Sequence, residues 1–89
     1  MNYKRAYFIG VGGIGMSSIA RYFNAIDVEV LGYDKTETAL TKTLIEEGIK
    51  VRYHADLDFV SQLTDTDLVV FTPAIPKDFP EFDILKKNH

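Results

Sequence analysis

The sequence predicts an α/β domain built on a doubly wound parallel sheet, with the strand order 3-2-1-4 and helices on both faces. Four short apolar runs that favour β-strands alternate with four segments of helical periodicity. Short connections between such elements favour right-handed crossovers and parallel strands. In addition, four glycines within residues 10–15 separate the first strand from the first helix.

The first strand is predicted over residues 6–9, because this run is continuously apolar, as in strands buried on both faces of a parallel sheet. Residues 14–24 then change to helical spacing, and the side chains predicted to face inward are Ile19, Ala20 and Phe23. A second strand is predicted over residues 28–33, ending directly before Asp34. These three elements form the first β-α-β unit of the predicted sheet.

The second half of the chain repeats this alternation. A helix over residues 38–47 is expected to end at Gly48, since glycine commonly follows the last turn of a helix. Its inward side chains are predicted to be Leu40, Leu44 and Ile45. The remaining elements are predicted as a strand at 50–53, a short helix at 58–63, a strand at 68–71 and a helix at 80–87 that begins with a proline.

The composition argues against several classes of function. The 89 residues make one small domain, and a formal net charge of −3 without a basic stripe argues against a nucleic-acid partner. There is no cysteine, which excludes disulfides and thiolate chemistry and removes the usual ligands of structural zinc. No apolar run reaches the roughly 18 residues of a membrane span, and the N-terminus lacks the features of a signal peptide. We therefore expect a cytoplasmic protein with no membrane partner.

The glycines after the first strand match the pattern G-x-G-x-x-G through Gly10, Gly12 and Gly15. In this strand–loop–helix context, Gly10 permits a tight turn, Gly12 lets the backbone approach a diphosphate, and Gly15 allows close packing of the helix on the strand. The N–H groups and the dipole of the helix N-terminus would then hold the anion. We expect the substitution Gly12→Val to weaken diphosphate binding while leaving the fold mostly intact.

Other candidate ligands each carry an open alternative. Ser17 in the first helical turn either bonds a phosphate oxygen or satisfies backbone N–H groups. Asp34 follows the second strand, where such folds place an acid that binds ribose hydroxyls, or it is an ordinary turn aspartate. His54 follows the third strand and residues 72–76 follow the fourth, at the edge where these sheets bind ligands. For His54 and for residues 72–76, an ordinary loop without a ligand is equally compatible with the sequence.

The residues by themselves leave three function classes open. The glycine loop with Asp34 favours the NAD-binding domain of a nicotinamide-dependent dehydrogenase, and it also fits a UDP-sugar-binding domain or a regulatory nucleotide-sensing module. The chain contains no recognisable catalytic constellation, no metal-ligand spacing and no P-loop pattern. We therefore expect no catalytic residue and no metal or cofactor site in this chain.

Residues 7–17 closely resemble the opening of the UDP-N-acetylmuramate–L-alanine ligases, which belong to the Mur ligase family of peptidoglycan synthesis. The ending Gly-Met-Ser of this segment is more specific than the glycine pattern, because nicotinamide enzymes do not usually require it. The resemblance continues in order and spacing through residues 32–34, 48–54 and 72–76, and it favours a UDP-sugar over NAD. Tyr33 and Tyr53 depart from the family, which commonly has a small residue at both positions.

This resemblance implies an ATP-dependent ligase of three domains, with residues 1–89 as its N-terminal, Rossmann-like domain. This domain would hold the UDP part of UDP-N-acetylmuramic acid, whose carboxylate is activated as an acyl phosphate and attacked by the amine of L-alanine. A central P-loop domain would bind ATP and magnesium, and a C-terminal domain would help to bind the amino acid. Both would lie beyond His89, where a fifth strand is also expected, and the chain alone would be inactive.

The resemblance also assigns the binding residues of this domain. The diphosphate loop would consist of Gly12, Gly13, Ile14, Gly15, Met16 and Ser17. The uridine side would be lined by Asp34, His54, Thr72, Pro73, Ala74 and Ile75.

Overall fold

The computed structural model describes residues 3–88 and confirms the predicted fold class. Its strands are β1 (Arg5–Ile9), β2 (Glu29–Tyr33), β3 (Lys50–Arg52) and β4 (Asp67–Phe71). They form one parallel sheet in the predicted order β3-β2-β1-β4. The helices between and after them are α1 (Ile14–Ala25), α2 (Ala39–Glu46), α3 (Leu57–Ser61) and α4 (Glu81–Asn88). Within residues 3–88, no helix combines the length and the apolar character needed to cross a bilayer.

The sheet carries an apolar core on each face, because alternate residues of β1 point to opposite sides. One core contains Ala6, Phe8, Val11, Ala20, Val30, Leu44 and Ile49. The other contains Tyr7, Ile9, Val60, Leu63 and Leu85. Helices α1 and α2 therefore cover one face, and α3 and α4 cover the other. The central position of β1 explains why residues 6–9 are fully buried, as their continuous apolar run predicted.

Two of the side chains predicted to face inward are on the surface instead. Ile19 in α1 and Ile45 in α2 are each 44% exposed, whereas their neighbours Ala20 and Leu44 are fully buried. Consecutive helical residues are separated by about 100° around the axis. The buried stripe of each helix is narrow, so one residue of each adjacent apolar pair falls outside it.

Helices α1 and α2 end in the same backbone motif. After α2, Gly48 has a φ of 101°, and the N–H of the next residue donates to the Leu44 carbonyl at 3.0 Å. After α1, Asp27 has a φ of 65°, and the following N–H donates to the Phe23 carbonyl at 3.1 Å. This arrangement satisfies carbonyls that the helix end leaves free. It confirms the predicted role of Gly48 and places an aspartate in the corresponding position of α1.

Candidate functional site

The carboxyl ends of the four strands meet at one edge of the sheet, where the predicted ligand residues follow them. The glycine loop leaves β1 through Gly10, whose φ of 92° makes the predicted tight turn. The N–H groups of Gly10 and Val11 both donate to the carbonyl of Tyr33, at 2.7 and 3.0 Å. The loop is therefore attached to the end of β2 before helix α1 begins.

A second attachment joins the same loop to Asp34. The backbone N–H of Gly12 donates to Asp34 Oδ2 at 2.8 Å, and Asp34 Oδ1 accepts from the Thr36 N–H at 3.2 Å. A Cβ at Gly12 would lie 2.7 Å from Asp34 Oδ2 and 2.9 Å from Thr41 Cγ2. The neighbouring side chains therefore leave no room for a Cβ at position 12 unless they move. This corrects the expectation that Gly12→Val would leave the fold mostly intact.

The first turn of α1 is open to solvent. Its N-cap is Gly13, and within residues 3–88 no side chain caps this helix start. Gly13, Ile14 and Gly15 are exposed. A Cβ at Gly15 would meet nothing within 4 Å, so the predicted role of Gly15 in close packing of the helix on the strand is wrong.

Met16 and Ser17 face inward from this exposed turn. Met16 packs against the core between the sheet and α1. Ser17 is 2% exposed, and its hydroxyl donates to the Ile14 carbonyl at 2.9 Å. The specific Met-Ser ending of the loop therefore has a structural explanation in addition to its predicted role at the diphosphate.

The segment after β4 turns back towards the glycine loop. The N–H of Ile75 donates to the Thr72 carbonyl at 3.1 Å, which closes a tight turn. A Cβ at Gly10 would lie 3.1 Å from Thr72 Cγ2 and 3.3 Å from Ile75 Cδ1. Thr72 and Ile75 are thereby brought beside the loop, and together with Pro73 they also border an apolar pocket of about 410 Å³ that includes Phe71 and Phe82.

An open pocket of about 460 Å³ lies between the ends of β2 and β4, lined by Tyr33, Lys35, Ala74, Ile75, Pro76 and Phe79. The rings of Tyr33 and Phe79 are in contact, with centroids 4.7 Å apart. Burial raises the pKa of Tyr33 above its ordinary value, and the charges of Asp34 and Glu81 raise it further, so its hydroxyl stays neutral at pH 7. The sequence pointed to Ala74 and Ile75 and favoured a solvated turn lysine over a phosphate contact for Lys35, whereas Phe79 had no predicted role.

His54 lies beyond β3 and is exposed. Its neighbour Tyr53 points inward, and the Tyr53 hydroxyl lies 2.9 Å from Thr41 Oγ1. Thr41 is fully buried and is the same residue that limits the space at Gly12. Tyr53, where the family pattern has glycine, therefore fixes the start of the His54 segment against α2.

A buried polar cluster beneath this edge was not predicted from the sequence. Glu81 is fully buried, and its Oε1 accepts from the Tyr7 hydroxyl at 2.6 Å. Arg52 also donates to the Tyr7 hydroxyl at 3.1 Å. Burial, together with the hydrogen bond and charge of Glu81, raises the pKa of Tyr7 far above its ordinary range, although Arg52 opposes this. Sequence alone marks Glu81 only as an acid in a first helical turn, where exposed acids are common.

The polar residues of the described chain are not arranged to bind a metal. Among residues 3–88, no group of three or more histidine and carboxylate side chains is placed to hold an ion. The open start of α1, the Asp34 carboxylate and the pocket beside Tyr33 are features of this edge that can bind a ligand.

The chain is similar to known proteins along nearly its whole length. Residues 5–89 match the family described as "Mur ligase family, catalytic domain". The chain is 48% identical over 90 residues to a UDP-N-acetylmuramate–L-alanine ligase of Christiangramia forsetii, covering 97% of this chain and 20% of that protein. An enzyme of the same name from Porphyromonas gingivalis is 49% identical over 88 residues, covering 96% of this chain and 19% of that protein.

A solved structure shows the same relationship. The crystal structure of UDP-N-acetylmuramate–alanine ligase from Thermotoga maritima matches with a TM-score of 0.79 and 34% identity, covering 93% of this chain and 19% of that one. The chain therefore spans about a fifth of the length of the relatives it matches.

Proposed function

The chain belongs to the Mur ligase family, and we propose that it binds the UDP part of UDP-N-acetylmuramic acid within a longer, ATP-dependent ligase. In this proposal the ligase joins L-alanine to the muramoyl carboxylate, the reaction named for the two relatives above. The chain covers about a fifth of those relatives, so the activity is proposed for the longer protein.

The observation that carries this proposal is the uncapped, exposed first turn of α1 at the carboxyl edge of the sheet. Gly13 serves as N-cap without a side-chain hydrogen bond, and the first turn contains no acid. The free N–H groups of such a turn, with the positive end of the helix dipole, favour an anion. A diphosphate is the anion proposed here, because the exposed backbone of Gly13, Ile14 and Gly15 lets phosphate oxygens approach the helix start.

Asp34 is proposed to hold the ribose. Each oxygen of its carboxylate accepts one backbone hydrogen bond in the structure. A carboxylate offers about four acceptor positions, so each oxygen has one left for a ribose hydroxyl. The carboxylate is fixed in direction by its two backbone donors, which favours a defined ribose position over a mobile one.

The pocket between Tyr33 and Ala74 is proposed to receive the uracil. Its volume of about 460 Å³ is within the range of about 300–1,000 Å³ common for ligand sites. Tyr33 and Phe79 offer aromatic surface, and the turn at Thr72–Ile75 offers backbone polar groups. His54 is proposed to approach the uridine from the other side of Asp34.

The described residues are proposed to bind and orient the substrate, while the bond is made elsewhere. No group of three or more histidine and carboxylate side chains among residues 3–88 fits a magnesium ion. ATP and Mg²⁺ would supply and activate the phosphoryl group for the muramoyl carboxylate. We propose that both are bound by the central ATP-binding domain of the longer protein, while its C-terminal domain helps to bind the amino acid.

Calorimetric titration of the full chain with UDP-N-acetylmuramic acid, UDP and NAD tests this proposal. Saturable binding of both UDP ligands, with no binding of NAD, is the expected result. Saturable NAD binding without a response to either UDP ligand would overturn it in favour of a nicotinamide-dependent dehydrogenase.

A further inference from the structure

The buried carboxylate of Glu81 contacts both ends of the short segment that carries His54. Glu81 Oε2 accepts from the backbone N–H of Asp56 at 2.8 Å. The same oxygen lies 3.9 Å from Arg52 Nη2. Arg52 is the last residue of β3 and Asp56 is the N-cap of α3. The three residues 53–55 are therefore held between these two contacts.

Arg52 is itself confined by its surroundings. Its guanidinium lies 5.5 Å from the ring centroid of Tyr7 and 4.6 Å from that of Phe59. Its Nε is buried and has no hydrogen-bond partner within the described part of the chain. The polar interactions of the Arg52 side chain are therefore the hydrogen bond to Tyr7 and two contacts of 3.9 Å, one with Glu81 Oε2 and one with Asp56 Oδ2.

A carboxylate at this depth is costly, since an apolar side chain of similar size would fill the core without desolvating a charge. Glu81 has no exposed surface and its two oxygens are taken up by Tyr7 and Asp56. At the other end of the segment, Tyr53 is fixed by Thr41. The exposed residue that these anchors present is His54.

We propose that Glu81 is a positioning residue that fixes residues 53–55 and thereby directs His54 towards the bound uridine. This inference rests on the proposed function for the identity of the ligand. Glu81 does not touch the ligand in this proposal; it acts through the Asp56 N–H and the Arg52 side chain.

The test compares Glu81→Gln with Asp83→Asn in the full chain. Both substitutions remove one negative charge from α4, but Asp83 is exposed. The neutral amide of glutamine has one acceptor oxygen, which accepts a weaker hydrogen bond than a carboxylate does, and Glu81→Gln also removes the charge that faces Arg52. We expect hydrogen exchange of the Asp56 amide to become at least about tenfold faster, with shifted NMR signals of the His54 ring. Asp83→Asn is expected to change neither.

The affinity for UDP-N-acetylmuramic acid then tests the link to His54. Glu81→Gln is expected to weaken binding in the wild-type background and to have little further effect in a His54→Ala background. Equal weakening in both backgrounds would overturn the positioning role, as would unchanged Asp56 exchange and unchanged His54 signals.

Failure of the proposed function is distinguishable from failure of this inference. If the wild-type chain binds no UDP ligand, the function is wrong, and the exchange and ring signals alone decide whether Glu81 fixes the segment. If Glu81→Gln does not fold, Arg52→Met removes the charged anchor but keeps an apolar stem. Shifted His54 ring signals in that variant would support the inference, and unchanged signals would overturn it.

Discussion

The carboxylate of Asp34 accepts a hydrogen bond from the backbone N–H of Gly12 at 2.8 Å, which joins the end of β2 to the glycine loop. The N–H of Asp34 in turn donates to the Arg52 carbonyl at 3.0 Å, which links it to β3. The residue proposed to bind ribose thus also supports the loop proposed to bind the diphosphate. Substitutions in this region must therefore be judged for their effect on stability as well as on binding.

Gly12→Ala is expected to lower the free energy of unfolding by about 1–3 kcal/mol, because the added methyl group overlaps atoms already in contact. The new Cβ would lie 2.7 Å from Asp34 Oδ2 and 2.9 Å from Thr41 Cγ2. Urea denaturation measures the change. Gly15→Ala is the matched control, since its Cβ meets nothing within 4 Å and alanine favours helix by about 0.5–1 kcal/mol. Equal stability of the two variants would contradict this account of Gly12.

Ile14→Asp is expected to weaken UDP binding about three- to tenfold relative to Ile14→Asn, because a carboxylate here would repel the diphosphate. Ile14 is 85% exposed, and an acid in the first turn is favourable for the helix itself. Loss of stability is therefore not expected in either variant. Calorimetry at low and high salt measures the difference, which should shrink as salt screens the repulsion. Equal affinities at low salt would place the diphosphate away from α1.

Asp27→Gly is expected to raise the free energy of unfolding by about 0.5–1 kcal/mol, because glycine adopts a positive φ without the steric cost of a Cβ. The reverse change at the equivalent site, Gly48→Asp, should lower stability, since the φ of Gly48 is 101°. Thermal or urea unfolding of both variants measures the pair. Changes of the same sign in both would show that backbone conformation does not control stability at these caps.

The stability of the chain is expected to fall in acid partly through Asp67. Burial raises the pKa of Asp67, but hydrogen bonds from Arg5 and Thr64 and the charge of Arg5 outweigh it, so its pKa lies below the ordinary value. Arg5 Nη2 lies 2.9 Å from Asp67 Oδ2. Because the folded-state pKa is depressed, this contribution is present above the unfolded pKa of about 3.9 and is lost as the pH falls through the lower, folded value.

Unfolding free energies measured between about pH 2 and pH 6 test this expectation. Asp67→Asn should lower stability by about 1–3 kcal/mol at neutral pH and flatten the acid dependence. Asp65→Asn, an exposed neighbour, is the control. A steep acid dependence that persists unchanged in Asp67→Asn would assign the effect to other carboxylates.

The sheet could be predicted from the sequence because the local signals and the fold agree. The fully apolar run of β1, the glycines after it and the regular alternation of elements each point to the same topology, and the structure has it. Ile19 and Ile45 were assigned wrongly because each has an apolar neighbour in the helix. Periodicity alone does not tell which member of such a pair faces a narrow core.

The polar contacts of the site could not be predicted in the same way. Gly12 fits the general nucleotide-binding pattern, so its contact with Asp34 has no separate signature in the sequence. Glu81 follows a proline at the start of a helix, the usual setting of an exposed acid. Only the packing of α4 below β1 brings it to Tyr7 and Arg52, which are distant in sequence. Such contacts depend on the tertiary structure and cannot be predicted from the spacing of residues in the sequence.

The glycine loop is braced on both sides, by Asp34 at Gly12 and by Thr72 and Ile75 beside Gly10. A glycine-rich segment of this kind would otherwise have large conformational entropy, which a ligand would have to remove on binding. Here that ordering is completed when the chain folds, so the proposed nucleotide ligand would meet a preorganised loop. Association with the loop should then proceed without a slow conformational step, and tight and weak ligands should differ mainly in how fast they leave.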